Sequence, residues 1–316
     1  KNEKTVLSEN MKKLFGTDGI RGKANQYPMT PEMALSVGKA IARVFKKKND
    51  HLHKIVIGKD TRLSGYMIET ALTSGIVSQG VDVLLVGPMP TPAIAHLTRS
   101  LNADAGIVIS ASHNQASDNG IKIFNSLGLK LSDNTEHEIE EAVFSKEEHK
   151  NPSQIGKAFR INDAVGRYIE FAKSTVNNQS LQGLKIVLDC ANGAAYKTAP
   201  IILSELGASV MTLNNSPDGQ NINKNCGAMF PQIIQKEVKK HKADIGIALD
   251  GDADRVIICD EKGQIVDGDQ IMAICATELK KQGKLKNNSV VTTIMSNLGF
   301  HNSMKEHGIN ALVTGV

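Results

Sequence analysis

The chain has 316 residues, which is longer than one ordinary hydrophobic core and enough for two or three domains. Hydrophobic residues make up 41% of it, charged residues 22%, and the net charge is +4, a composition typical of a soluble globular protein. No run approaches the roughly 18 apolar residues of a membrane span. Scattered lysines and the lack of tryptophan disfavour a nucleic-acid surface. We therefore expect neither a membrane nor a nucleic-acid partner.

The cysteines and the first residues indicate a compartment. Residues 1–10 lack the apolar region of a secretory signal, and Met11 is a candidate natural start. The four cysteines lie far apart and form no CxxC pair, which favours free thiols in a reducing environment. They are Cys190, Cys226, Cys259 and Cys275. We predict a cytoplasmic protein.

Short apolar strands alternate with helical segments from the start of the chain. A helix is predicted to begin at 30–31, and a second helix at 64–79 follows a strand at 54–60. A strand at 81–86, a helix that begins at 91–92 with proline in its first turn, and a strand at 103–110 come next. This alternation predicts βαβ units and a mostly parallel sheet.

The same order of elements then returns. Segments 185–190, 207–212 and 243–250 resemble the first three strands, and a third set begins at 289–295 and 308–314. We therefore predict an α/β fold of successive repeated three-layer αβα domains with mixed, mostly parallel sheets. The predicted domains are 11–155, 156–262 and an incomplete third domain, 263–316.

Three carboxylates alternate in the segment Asp250-Gly251-Asp252-Ala253-Asp254, and Arg255 follows. Alternate residues of an extended segment point to the same side. Carboxylates grouped in this way repel one another unless a cation lies among them, and oxygen ligands suit Mg²⁺ or Ca²⁺. The ordinary alternative is a solvated acidic turn.

A calcium-binding EF-hand is a second alternative for this segment. With Glu261, the three aspartates occupy the first, third, fifth and twelfth positions of that pattern. Its sixth position requires glycine and here holds Arg255. The flanking runs 245–249 and 256–259 are short and β-branched, which predicts strands instead of helices. We therefore predict a metal-binding loop at the tip of a strand.

A serine loop occupies the equivalent place in the first repeat. Ser112 lies beside His113 and Asn114, directly after the third strand, as Asp250 does in the second repeat. Ligands of open α/β sheets bind beyond the carboxyl ends of strands, so both loops are expected to face one cleft. A serine near a base or cation can carry a covalent group. Taken alone, the tripeptide is usually an ordinary polar turn.

Two arginine loops add the character of a phosphate site. Segment 15–22 is rich in glycine and contains Arg21, and segment 60–65 places Arg62 just after a strand. Glycine lets backbone N–H groups approach an anion, and arginine binds phosphate oxygens with two donors. Each loop alone is equally well explained as a capped turn. Together with Ser112 and the carboxylates they indicate phosphoryl transfer.

Four motifs resemble those of the α-D-phosphohexomutase superfamily. They are Phe15-Gly-Thr-Asp-Gly-Ile-Arg-Gly22, Ile109-Ser-Ala-Ser-His-Asn114, Asp250-Gly-Asp-Ala-Asp-Arg255 and Thr293-Ile-Met-Ser-Asn-Leu-Gly299. The resemblance covers the chain from Phe15 to its end. The first, second and fourth motifs favour the branch that interconverts glucosamine 6-phosphate and glucosamine 1-phosphate. The phosphomannomutase/phosphoglucomutase branch, with the same mechanism, is the alternative.

The resemblance also implies cofactors and roles for the site residues. Ser112 is implied to be the phosphoserine, and one of its oxygens is implied to join Asp250, Asp252 and Asp254 around Mg²⁺. Lys122 and Arg21 are implied to be catalytic. Phosphate binding is assigned to a further set of residues. They are His113, Asn114, Arg62 and Arg255.

The implied reaction passes through the phosphoserine and a sugar 1,6-bisphosphate, which is both intermediate and activator. The implied partner is a phosphosugar substrate, and homodimerisation is left open.

The chain departs from the superfamily pattern in three ways. The chain does not contain the sugar-hydroxyl loop of the superfamily, Gly-Glu-x-Ser-Gly-His, or the Ser-Gly-Thr phosphate loop of its fourth domain. Gln115 stands where the superfamily usually has proline. We therefore expect the 316-residue chain to lack the fourth domain and to have little mutase activity by itself. We also expect exposed apolar surface near 289–316.

Two other classes of protein fit the same residues. A metal-dependent phosphatase or phosphotransferase with an aspartate nucleophile would attack from the Asp250 loop and would not need Ser112. A binding module for divalent ions or sugar phosphates would bind without turnover.

Overall fold

The computed structural model describes residues 14–46, 52–145, 155–177 and 179–315, and its first unit is a six-stranded sheet. The strands of this sheet are β1 (Ile20–Lys23), β2 (Lys54–Lys59), β3 (Asp82–Pro88), β4 (Ala105–Ile109), β5 (Asp118–Asn125) and β6 (Ala158–Arg160). They lie in the order β1-β5-β4-β2-β3-β6. Strands β4, β2, β3 and β6 are parallel, β5 pairs antiparallel with β4, and β1 pairs antiparallel with β5 at the edge of the sheet.

Helices cover both faces of this sheet. They are α1 (Pro31–Lys46), α2 (Ser64–Val77), α3 (Thr91–Ser100), α4 (Asp133–Phe144) and α5 (Ala164–Ser174). Neighbouring residues of β2 point to opposite faces, so Ile57 packs in the core under α1, α2 and α4, and Val56 packs in the core under α3. The first unit is therefore the predicted three-layer αβα arrangement.

The second unit repeats the topology of the first. Its elements are β7 (Lys185–Asp189), α6 (Thr198–Glu205), β8 (Ser209–Leu213), α7 (Pro231–His241), β9 (Ile245–Leu249), β10 (Val256–Cys259) and β11 (Ile265–Val266). The order β10-β9-β7-β8 matches β5-β4-β2-β3, with the same parallel and antiparallel pairs. The repeat predicted from the sequence is confirmed.

The third unit contains two parallel strands, β12 (Ser289–Thr293) and β13 (Asn310–Thr314), joined by α9 (Leu298–Glu306). Helix α8 (Gly268–Lys281) packs against α9, and Phe300 and Met304 fill the small core between them. Several apolar side chains of this unit are exposed, as the sequence predicted. They are Val291, Ile294, Met295, Leu298, Leu312 and Val313.

Three strands of the first sheet, β1, β5 and β6, were not predicted from the sequence. Strand β1 lies in the segment 15–22, which was interpreted as a glycine-rich loop, and β5 begins with the turn-forming residues Asp118, Asn119 and Gly120, which pair with β1. Strand β6 pairs with β3 through Val83 and Ala158, although the predicted boundary assigns it to the second domain. The boundaries at 155 and 262 stay predictions.

The described cysteines are free, as predicted. Cys190, Cys226 and Cys259 are buried and Cys275 is exposed. Burial, with a smaller contribution from Asp189, raises the pKa of both Cys190 and Cys226 to about 12. Thiols of this kind stay protonated and unreactive at neutral pH.

Helices α1 and α2 approach each other closely at two glycines. A Cβ atom on Gly75 would lie 2.2 Å from the carbonyl oxygen of Leu35, and one on Gly38 would lie 2.5 Å from that of Leu72. These are backbone contacts, so no side chain can move aside. The absence of side chains at these glycines sets the separation of the two helices.

We predict that Gly75→Ala lowers the free energy of unfolding by about 1–3 kcal/mol, because the helices must separate to admit the methyl group. Gly166→Ala, at an exposed position of α5 with nothing within 4 Å, is the matched control. It is expected to gain up to about 1 kcal/mol from helix propensity. Urea denaturation of both variants measures the difference. Equal stability of the two would contradict the packing explanation.

Candidate active site

The serine loop and the acidic loop are equivalent turns of the two repeated units. Residues 110–117 connect β4 to its antiparallel partner β5, and residues 250–255 connect β9 to β10 in the same way. Each turn contains a non-glycine residue in the left-handed region, Ser112 at φ 50° and Ala253 at φ 55°. Such conformations cost about 1–3 kcal/mol and persist only where the surroundings hold them. The two turns meet, as the repeat alignment predicted.

Ser112 is the point of contact between them. Its hydroxyl donates to Oδ2 of Asp250 over 2.7 Å, and its side chain is fully buried. Its backbone N–H donates to Oγ of Ser110 at 2.9 Å. Gly251 makes the approach possible, because a Cβ atom there would lie 2.7 Å from the carbonyl oxygen of Ser112.

The three aspartates converge as the sequence predicted. One oxygen each from Asp250, Asp252 and Asp254 lie within 4.8 Å of one another. Asp250 and Asp252 are buried, whereas Asp254 is partly exposed. Burial, with the neighbouring carboxylate of Asp252, raises the pKa of Asp250 to about 6. The group can hold a metal ion.

Among the described residues, one buried oxygen of this cluster lacks a hydrogen-bond donor. Oδ2 of Asp252 accepts from the Thr91 hydroxyl at 2.7 Å and from Nζ of Lys122 at 2.9 Å. Its buried Oδ1 has no hydrogen-bond partner among the residues that the structure describes. A buried carboxylate oxygen without a donor is costly, and a hard cation would satisfy it. The donor set therefore fits a divalent ion with oxygen ligands.

The structure also tests the EF-hand alternative. Strands β9 and β10 flank the acidic loop, where an EF-hand has helices. Glu261 lies beyond the far end of β10, in the turn that leads to β11. The acidic loop is thus a turn between strands, as predicted.

Lys122 balances the negative charge of the acidic loop. It lies on β5 opposite Val108 and reaches Asp252, Asp254 and Asp18 with Nζ–oxygen distances of 2.9, 3.1 and 3.2 Å. Burial opposes the charge of Lys122, but the three carboxylates outweigh burial and raise its pKa. Lys122 is therefore a cation at neutral pH.

Arg21, His113 and Arg255 surround the same space. Arg21 on β1 pairs with Asp18, and Arg255 is exposed with its Nε 3.9 Å from Asp254. Burial, Arg255 and Arg21 lower the pKa of His113, so its ring is neutral at pH 7. Its buried Nδ1 has no partner within the described parts of the chain. Cations with a neutral histidine are groups that a phosphate ester would bind.

The side chains of Arg62 and Asn114 donate to groups of the serine loop and its neighbouring strand. Arg62 is fully buried, pairs with Asp60, and donates to the carbonyl oxygens of Ser112 and Asn114. The Asn114 side chain donates to Asp118 at 2.9 Å. The phosphate-binding roles of these two residues stay predictions. In the structure both groups hold the serine loop.

Three residues of the site were not predicted from the sequence. Thr91 was noted only as a helix start, and Asp18 only as part of a glycine-rich loop. Asn223 was not singled out, although its side chain contacts the serine loop. Thr91 follows β3, so its position at the carboxyl edge of the sheet was the available signal.

The fold and this site define a family. Residues 12–150, 166–263 and 267–316 match Phosphoglucomutase/phosphomannomutase, alpha/beta/alpha domains I, II and III. The chain belongs to the phosphoglucomutase/phosphomannomutase family, which confirms the predicted superfamily resemblance.

Individual relatives show which members of the family the chain is similar to. Phosphoglucosamine mutase of Pelobacter propionicus is 59% identical over 310 residues, which is 97% of this chain and 68% of the relative. The Syntrophotalea carbinolica phosphoglucosamine mutase is 59% identical over 309 residues, covering 96% and 68%. The chain thus spans about two thirds of the length of these relatives. Its similarity is to the glucosamine branch, as the motifs predicted.

A solved structure shows the same fold. A phosphoglucomutase/phosphomannomutase family protein from Burkholderia thailandensis superposes with a TM-score of 0.82 at 24% identity, over 96% of this chain and 66% of that one.

Within the described residues, no helix is both long and apolar enough to cross a membrane.

We predict that Mg²⁺ stabilises the protein against heat. The ion would bind the unpartnered Oδ1 of Asp252 and would reduce the repulsion among the three carboxylates. At a hundredfold excess over Kd the gain is about 2.7 kcal/mol, which is several degrees in Tm. Asp252→Asn should abolish the shift. Glu261→Gln, a distant exposed carboxylate, should retain it. Differential scanning fluorimetry with and without Mg²⁺ measures both, and a full shift in Asp252→Asn would disprove the metal site.

Proposed function

We propose that this chain supplies the phosphoserine and metal-binding part of a phosphoglucosamine mutase, which interconverts glucosamine 6-phosphate and glucosamine 1-phosphate. The observation that carries the proposal is the 2.7 Å contact between the Ser112 hydroxyl and Asp250, which joins the serine loop to the carboxylate cluster. The 59% identity to phosphoglucosamine mutases supports the choice of sugar.

In the proposed reaction a phosphoryl group on Ser112 moves to the free hydroxyl of the sugar phosphate. The bond from phosphorus to Oγ of Ser112 breaks, a bond from phosphorus to the sugar oxygen forms, and the proton of the sugar hydroxyl ends on Oγ of Ser112. A sugar 1,6-bisphosphate results. It reorients and returns its other phosphoryl group to Ser112, whose hydroxyl proton passes to the freed sugar oxygen, so the serine is phosphorylated again at the end of the cycle.

The residues around Ser112 have charges that suit this transfer. Lys122, whose pKa is raised by the surrounding carboxylates, and the guanidinium of Arg21 can both neutralise the phosphoryl oxygens. Burial, Arg255 and Arg21 lower the pKa of His113, so its ring is neutral and adds no charge to this group. Asp250, Asp252 and Asp254 would hold Mg²⁺, which supplies further positive charge for the transferring group.

Arg255 has a different place in the site. Its side chain is 56% exposed, and it lies at the end of the acidic loop. It is therefore available to a phosphate group that enters from solvent.

We predict that Ser112→Ala in the complete natural protein abolishes mutase turnover and leaves Tm within a few degrees, because only one hydroxyl is lost. Intact-mass analysis should show one phosphate on the wild type and none on the variant. Ser117→Ala, an exposed serine of the same turn, is the matched control and should keep both activity and phosphate.

The same experiment separates the alternatives. Turnover of a phosphate ester by Ser112→Ala would favour a phosphatase with an aspartate nucleophile. Binding of sugar phosphate by the wild type without turnover would favour a binding module. A higher kcat/KM for mannose or glucose phosphates than for glucosamine 6-phosphate would place the protein in the other branch of the family.

A further inference from the structure

The serine loop is held by two donors that come from different domains. Arg62 of the first unit donates through Nη2 to the carbonyl oxygens of Ser112 and Asn114, at 3.1 and 2.6 Å. Asn223 of the second unit donates through Nδ2 to the same two oxygens, at 2.8 and 2.9 Å. Both N–H bonds of this side-chain amide are therefore directed at the turn that contains Ser112.

Asn223 is itself fixed in position. It is 1% exposed and takes the left-handed conformation with φ 57°. Its backbone N–H donates to the carbonyl oxygen of Ala191 at 3.0 Å, and its own carbonyl oxygen accepts from the Gln115 side chain at 3.4 Å. A buried amide with this many constraints has a single orientation, and that orientation faces the serine loop.

The acidic loop meets the same contact. A Cβ atom on Gly251 would lie 2.6 Å from Nδ2 of Asn223 and 2.7 Å from the carbonyl oxygen of Ser112. Asn223 and the carboxylates belong to one domain, whereas Arg62 and Ser112 belong to the other. Arg62 therefore shapes the serine turn within its own domain, and Asn223 ties that turn to the domain of the metal ligands.

We propose that Asn223 is a positioning residue for phosphoryl transfer, which keeps the oxygen of Ser112 in register with the carboxylate cluster across the domain boundary. This role rests on the proposed function. The side chain of Asn223 donates to the backbone oxygens of Ser112 and Asn114 and not to Oγ of Ser112, so it would act through the turn. Loss of the contact should therefore affect the rate of transfer much more than the binding of sugar phosphate.

The principal test is Asn223→Asp in the complete natural protein. Aspartate has nearly the same shape and tolerates the left-handed conformation, but it has no N–H to donate. We expect kcat for glucosamine 6-phosphate to fall by about 10- to 100-fold with KM changed by less than about threefold, as for a small misplacement of a reacting group. Asn225→Asp is the matched control, because Asn225 has the same conformation (φ 51°) and is exposed. Its kinetics should equal those of the wild type.

A second variant and a second measurement protect the test against misfolding. Asn223→Gly removes the donors and relieves the left-handed strain, so it should fold and show the same loss of kcat. Hydrogen exchange of the segment 110–116 should become faster in both Asn223 variants and stay unchanged in Asn225→Asp. This measurement needs no sugar, so it reports on the contact even if the proposed function is wrong.

Two results would overturn the inference. One is unchanged exchange of 110–116 in both Asn223 variants, which would show that the contact does not hold the turn. The other is faster exchange with wild-type kcat, which would show that holding the turn does not matter for transfer. Absence of mutase activity in the wild type would instead count against the proposed function.

Discussion

The placement of three carboxylates within 4.8 Å of one another is the constraint on which the rest of the site depends. Two of them are buried, so their repulsion is weakly screened by solvent. Lys122 reduces this repulsion, because it forms ion pairs with two of these carboxylates and with Asp18. Thr91 and Ser112 donate to the buried pair. The serine, the lysine and the threonine all come from the first unit, so charge balance in the second unit is supplied by its neighbour.

The junction between the first two units is consequently polar and specific. Thr61 donates to the Asn192 carbonyl oxygen, Leu63 donates to that of Gly219 at 2.9 Å, and Thr91 donates to that of Asp252 at 2.9 Å. Hydrogen bonds to backbone oxygens fix register more strictly than apolar contacts do, because hydrogen bonds are directional. The site is therefore placed at a boundary whose geometry is set by hydrogen bonds, and the turn that contains left-handed Ser112 is held by donors from both units.

Much of this arrangement was predictable from the sequence. The strands of the repeats are short and β-branched, and the repeat itself aligned Ser112 with Asp250 at equivalent turns. Topology then required both turns to lie at the carboxyl ends of parallel strands. Lys122 was found only through resemblance, because the strand that carries it begins with turn-forming residues. Thr91 and Asn223 were not predicted as site residues. Their contacts depend on how the two units pack together, and no local sequence pattern indicates that packing.

The equivalence of the two turns affects which substitutions the protein tolerates during evolution. The two copies of the unit now differ at this turn, because one contains Ser112 and the other contains three carboxylates. Neither unit by itself contains a complete constellation, so each is free to remain well folded while the pair loses its chemistry. Selection on such a protein therefore acts on the relation between copies. Changes at buried boundary positions should be tolerated less than their effect on the stability of either copy would suggest.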